Sequence, residues 1–284
     1  MVVVFALLAA LSNAVSVILQ HIASTAGALR PAGWRLIFSL VRSPLWLFGL
    51  AAQVGAFAFQ AIALHIGELS VVQPLLVTEL IIVLIVRRVW LHQSIALAAW
   101  TGGVLASAGL AVFIAAGEPR EGHLVPASDH WTAVIAVTVS ATAVLTVAAR
   151  WGSASRRAAL YAAAAGITWA LEAAVIKATT DTLTQFGVAG MFLRWPVYAM
   201  AASGMAGLLL QQQALHAGPL RISQPITVIL NPVVSIALSV WLFDEHFVPD
   251  TFLLAVAAAG FAVMCVGVVY LTQHAPATME AGTG

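Results

Sequence analysis

Nine stretches of this chain are apolar over about twenty residues each, the length a helix needs to cross roughly 30 Å of hydrocarbon. Cut at charges, Pro/Gly clusters and polar runs, they fall at about 2–22, 44–66, 69–90, 95–116, 131–149, 158–179, 195–217, 220–243 and 251–272. Such segments must satisfy their own backbone hydrogen bonds, so they fold as helices, and where only two to four residues separate them they pair as antiparallel neighbours. Composition agrees: 62% of the 284 residues are hydrophobic and 8% charged, against about 45–50% and 25% in a soluble domain. The fold class expected is an all-α polytopic membrane protein. The first stretch has no Lys or Arg before its apolar run, which a secretory signal requires, and is read as a retained span.

The charge balance excludes other classes. Twelve Lys+Arg against eleven Asp+Glu provide no basic field for nucleic acid. Cys265 is a lone cysteine, insufficient for an internal disulfide or a thiolate metal site. No GxSxG, HExxH or GxxxxGK occurs, so neither an intramembrane hydrolase nor an ATP-driven pump is expected, and no cofactor is implied.

Orientation follows the distribution of Lys and Arg in the flanks. With the N-terminus outside, the cytoplasmic side receives Arg30, Arg35, Arg42, Arg87, Arg88, Arg150, Arg156, Arg157 and Arg221, and the outside Arg120, Lys177 and Arg194. Trp46, Trp90, Trp131, Trp151, Trp195 and Trp241 mark span ends, as an interfacial belt does. The location expected is the plasma (cytoplasmic) membrane, with the C-terminus cytoplasmic. Residues 34–41 are expected to lie along the interface and the tail 273–284 to be disordered.

The chain repeats itself. FQAIALHIGELSVVQPL from Phe59 aligns with LQQQALHAGPLRISQPI from Leu210, an offset of 151 that also pairs Trp90 with Trp241 and Gly109 with Gly260. A looser match at an offset of 156 pairs Asn13 with Trp169 and His21 with Lys177. The resulting organisation is a single transmembrane domain over 1–272: a four-helix repeat at about 1–116, a linking span at 131–149 and a second repeat at 157–272. The linking span inverts the second repeat in the membrane, an arrangement that provides alternating access in secondary transporters.

ALHAGPLRISQPITVILNPVVSIALSVWLFDEHF, from Ala214 to Phe247, resembles the hallmark segment of EamA-type members of the drug/metabolite transporter superfamily, with Asn231-Pro232 and Glu245 in the motif's places. GITWALEAAVIKAT, in the sixth span, resembles the matching first-helix pattern of that superfamily, with Trp169 eight residues before Lys177. LWLFGLAAQVGAFAFQAIALHIGELSVVQPLLVTEL and the nine-span count look more like the NIPA-type magnesium transporter branch. The resemblance covers about 270 residues and implies transport of a small organic metabolite or drug-like molecule, or of Mg²⁺ or another divalent cation. The first repeat departs from the pattern: Ile81 stands opposite Pro232, Ser94 opposite Glu245 and Asn13 opposite Trp169.

Charged residues deep in a span cost about 2.5–3.5 kcal/mol at the centre and are functional candidates by default. Glu79 lies about 15 Å along the third span at about 1.5 Å per residue, near the midplane, where a carboxyl can exchange a proton for a cation. Its competing reading is a protonated carboxyl bonded to a neighbouring helix. Glu172 stands two-thirds across the sixth span, as a cavity contact or a satisfied structural acid. Lys177, near the outer end, is either a site residue or a snorkelling side chain.

Pro74 and Pro225 each remove an amide donor beside a glutamine, Gln73 and Gln224, which suggests a paired hinge and binding rim; plain packing kinks are the alternative. Pro232, beside Asn231, makes the eighth span the one expected to deform most. Gln211 pairs with Gln60 and is the cavity-facing choice among Gln211, Gln212 and Gln213. Hydrogen bonding alone is expected of His65 and His216, which end symmetric spans. For a divalent cation the oxygen donors on or flanking the spans are Glu79, Glu172 and Glu68. A non-transporting membrane scaffold is the remaining class of function. The partners expected are the lipid bilayer and a small-molecule or ion substrate.

Overall fold

The computed structural model describes residues 1–25, 43–90, 92, 94–120, 122, 128–248 and 250–274. The expectations for 34–41 and for the tail beyond His274 lie outside these residues. The described chain is helical: α1 (Val2–Thr25), α2 (Pro44–His65), α3 (Leu69–Leu76), α4 (Glu79–Val89), α5 (Leu97–Gly117), α6 (Ser128–Ala148), α7 (Ala154–Phe192), α8 (Trp195–Ala217), α9 (Leu220–Phe243) and α10 (Thr251–His274). Residues 273 and 274 therefore belong to the last helix rather than to a tail, because the apolar pattern of α10 carries the backbone ladder past Thr272.

Eight segments are long and apolar enough to cross a bilayer, counting α3 and α4 together. The 23-residue α8 is the ninth helix of spanning length, its apolar character diluted by Gln211, Gln212, Gln213 and His216. Outward-facing side chains such as Val54, Val104, Val144, Leu209 and Val266 are exposed and apolar, a surface suited to hydrocarbon rather than water.

Local signals set several ends. Ser43 accepts from the Trp46 amide, with Pro44 in the first turn of α2. Ser153 accepts from the Arg156 amide at the start of α7. The sixth span expected at 158–179 is the middle of a 39-residue helix, α7, roughly 58 Å long at 1.5 Å per residue. Its buried residues run only from Ala158 to Thr179, so the expected span is the packed part. The remainder is half-buried to exposed and is broken at Gly187, whose φ of 67° leaves helical geometry.

The third span is not one helix. Val77 and Thr78 donate to Pro74 O and Leu75 O, three residues back, and Leu80 and Ile81 donate to Val77 O and Thr78 O in the same tight pattern. Pro74 cannot donate, and the chain winds into a 3₁₀ segment before α4 resumes at Glu79. By contrast α9 continues through both Pro225 and Pro232. The eighth span, expected to deform most, is therefore continuous, and the interruption lies in the third. Packing explains the difference. Thr227 donates to Ala162 O at 3.2 Å, and Gly166 lets α7 lie against Thr227, Leu230 and Asn231 of the turn before Pro232.

Within the first half α1 packs along α2 and touches α3 and α4; within the second, α7 packs along α8 and α9. The halves meet where α9 touches α3 and α2 touches α7, and most extensively along α5 and α10. There the backbones nearly touch. A Cβ at Gly109 would run into the Met264 amide and lie 2.5 Å from Gly260 O, and one at Gly260 would lie 2.8 Å from the Phe113 amide. Membrane helices associate through such close approach, since lipid leaves little hydrophobic gain between them. Gly109→Val is expected to lower stability by about 1–3 kcal/mol in reversible unfolding from mixed micelles, while Gly55→Ala, with nothing within 4 Å of the added carbon, leaves it unchanged.

Candidate functional site

Glu79 opens α4 at the turn that Pro74 creates, and its side chain reaches across to α1. The amide of Asn13 donates to Glu79 Oε2 at 2.7 Å. Asn13 Oδ1 in turn accepts from Gln53 Nε2 on α2 at 2.8 Å, and Gln53 Oε1 accepts from the Ser16 hydroxyl at 3.1 Å. Three spans thus converge on one chain of polar side chains. Ser16 is fully buried, Glu79 and Asn13 are half-buried, and Gln53 is exposed. The carboxylate is linked through the Asn13 amide to the exposed amide of Gln53. Sequence reasoning selected Glu79 but not Asn13, Gln53 or Ser16 as its partners; polar residues on adjacent spans were the available signal.

Glu172 on α7 is half-buried and faces a notch in α8. A Cβ at Gly204 would lie 2.7 Å from Glu172 Oε1, and one at Gly207, a turn further on, would lie 3.0 Å from the Trp169 ring. Trp169 and Glu172 share a face of α7 three residues apart, as Gly204 and Gly207 do on α8. The glycines shape that helix surface to an indole and a carboxylate.

The third feature lies where α2 turns into α3. Glu245, just past α9, places Oε1 2.7 Å from the Leu69 amide and Oε2 3.1 Å from the Ser70 amide and 2.6 Å from the Ser70 hydroxyl. Lys177 Nζ donates to Gly67 O at 2.8 Å and to Glu245 Oε1 at 3.4 Å, 5.0 Å above the Phe243 ring. Lys177 is 7% exposed and Glu245 2%. Lys177 therefore does not snorkel: an acceptor carbonyl and a carboxylate hold its ammonium inside the protein, more favourable than stretching to the interface. Beside it His65 Nδ1 meets Asp181 Oδ1 at 3.1 Å, in keeping with a hydrogen-bonding role for that histidine.

The other selected residues are dispersed. Gln73 is buried in α3, its Nε2 without a hydrogen-bond partner. Gln224 is half-buried near the start of α9, and Asn231 accepts from the Ser235 hydroxyl at 3.3 Å. Gln60 and Gln211 are half-buried, whereas Gln212 and Gln213 are exposed. Gln211 Oε1 is buried without a partner. Glu68 precedes the first turn of α3 and gives it no side-chain cap; Glu245 does that instead. No group of three or more His, Cys, Asp or Glu placed to hold a metal ion occurs among the described residues.

The chain is similar to an uncharacterized protein of Corynebacterium glutamicum, with 27% identity over 286 aligned positions covering 99% of this chain and 97% of the relative. No family model matches the chain, and no solved structure does.

Truncating Glu245 removes the acceptor for three donors and strands the Lys177 ammonium. Glu245→Ala should therefore cost about 3–5 kcal/mol in reversible unfolding from mixed micelles. Ser94→Ala, at the exposed sequence counterpart of Glu245, should stay within about 0.5 kcal/mol of the parent.

Proposed function

We propose that this chain is a secondary transporter that moves a small organic metabolite or drug-like molecule across the plasma membrane by alternating access, with Glu79 exchanging a proton for substrate. The carrying observation is the Glu79–Asn13–Gln53–Ser16 chain, which suspends a carboxyl between three spans at the Pro74 turn. A carboxyl there can be neutralised by a proton or by a bound cationic group, and each state asks for a different arrangement of the two amides. The 3₁₀ segment gives the third span a place to flex as that exchange occurs.

Pairing of the halves supports the inverted-repeat part of this reading. Gly260 and Met264 stand 151 residues after Gly109 and Phe113, and the Gly109–Met264 approach is mirrored by the Gly260–Phe113 approach. Glu172 and Gly204 likewise stand at the repeat positions of Ser16 and Gln53, so the hydrogen-bonded polar pair of the first half answers to the carboxylate and notch of the second. Transport then centres on Glu79, with Glu172 and Trp169 facing it in role from the other repeat. Orientation follows the Lys/Arg bias, with the N-terminus outside.

Divalent-cation transport is the second reading, favoured by the NIPA-like first half. It needs Glu79 and Glu172 as oxygen donors, with Glu68 in reserve. Purified protein in liposomes, challenged with pooled polar metabolites or with Mg²⁺, separates the two. Proton release and thermal stabilisation by a metabolite fraction, both lost in Glu79→Gln, are the expected result. Stabilisation by Mg²⁺ alone, lost in the Glu79→Ala/Glu172→Ala double variant, would transfer the assignment to cation transport. No response to either, with Gln73, Gln224 and Asn231 tolerant of apolar replacement, would leave a membrane scaffold.

A further inference from the structure

The buried cluster at the Gly67 end joins parts of the chain far apart in sequence. Glu245 caps a helix about 175 residues before it, and Lys177 reaches a carbonyl 110 residues before it. In repeat terms, α3 and Gly67 belong to the first half, Lys177 and Glu245 to the second. Parting the halves at this end breaks the three bonds to Glu245 and the Lys177–Gly67 bond together, and leaves the Lys177–Glu245 pair without its partners in the first half.

The opposite end is built differently. The sequence counterpart of α3's first residue, Leu69, is Leu220 at the start of α9, where Pro219 supplies no side-chain cap of its own. Ser94, which replaces Glu245 there, is exposed and carries no charge. His21 stands in the sequence place of Lys177. One end of the molecule therefore closes on a buried carboxylate and ammonium, while at the other end the sequence places of those two residues are held by Ser94 and His21.

We propose that Lys177, Glu245 and Ser70 form a latch that holds the Gly67 end shut in the resting conformation by tying the halves through the Leu69 and Ser70 amides and Gly67 O, so that the opposite, Arg150 end is the one that opens without breaking this cap. The proposal rests on the alternating-access reading above. It assigns Lys177 to gating rather than to substrate contact. The latch is a helix cap as well as an ion pair, so charge alone does not reproduce it: Glu245 must accept from amides, which a lysine at that position is unable to do.

Two reporter positions test it. Val72 and Ser223 are both fully buried and occupy equivalent places, 151 residues apart, one helical turn inside the Gly67 end and the Arg150 end respectively. In a Cys265→Ser background, Val72→Cys and Ser223→Cys are made separately and labelled with a membrane-impermeant maleimide applied to each side of proteoliposomes. Adding Lys177→Met or Glu245→Gln should raise the labelling rate at position 72 by about tenfold or more and lower it at 223. A rise at 72 with 223 unchanged would uphold the latch and overturn alternating access, separating the two failures. Rates within about twofold of the parent at both positions, or equal rises at both, would overturn the latch, the second outcome being general loosening. If Lys177→Met does not fold, Glu245→Gln and Ser70→Ala, which removes the 2.6 Å bond, are read by the same criteria.

Discussion

A helix that starts inside a membrane protein has amide hydrogens with neither a preceding turn nor water to receive them. At α3 a carboxylate from the far end of the chain solves this: Glu245 takes the Leu69 and Ser70 amides and the Ser70 hydroxyl. A buried carboxylate with only neutral donors would itself be costly, and Lys177 supplies the opposing charge from α7. The start of α3 is thereby tied to the ends of α9 and the buried part of α7. Everything downstream on the third span, including the Pro74 turn and the direction in which Glu79 leaves it, depends on where that start is held.

The Pro74 turn converts a sequence irregularity into geometry that chemistry can use. A continuous helix through residues 69–89 would carry Glu79 on an ordinary α-helical face. The tighter winding from Pro74 to Ile81 instead sets Glu79 in the first turn of a new helix, within hydrogen-bond reach of Asn13. The amide relay from Asn13 to Gln53 then links the carboxyl to an exposed group on α2. The second half makes no equivalent turn, because α9 is clamped to α7 by the Thr227 hydrogen bond and the close approach at Gly166. The two halves thus differ: one carries the polar relay, the other a carboxylate beside an indole and the Lys177–Glu245 pair that ties down the Gly67 end.

Much of this was legible beforehand. Span positions follow from apolar length, and the packed part of α7 coincides with the stretch its composition marked, because hydrocarbon thickness limits how much helix can be buried. Glu79 stood out because an acid in an apolar run is expensive. Its partners did not, since Asn13 and Gln53 are unremarkable polar residues forty positions apart whose meeting depends on how α1 packs on α2. Of the two readings of Lys177 the snorkelling one fails for the same reason: a lysine near a span end snorkels by default, and it is a carbonyl 110 residues earlier and a carboxylate 68 residues later that keep it inside.

The division is physical. Solvent dictates which stretches are apolar enough to enter hydrocarbon, and residue order fixes where prolines withhold a donor; both follow without knowledge of neighbours. Which proline bends its helix, which acid is capped by which amide and whether a lysine points in or out are settled by contacts between spans, where a single glycine or hydroxyl changes the distance of closest approach. Tertiary packing therefore chose the third span over the eighth as the broken one, and made Glu245 a cap and Lys177 its counter-ion.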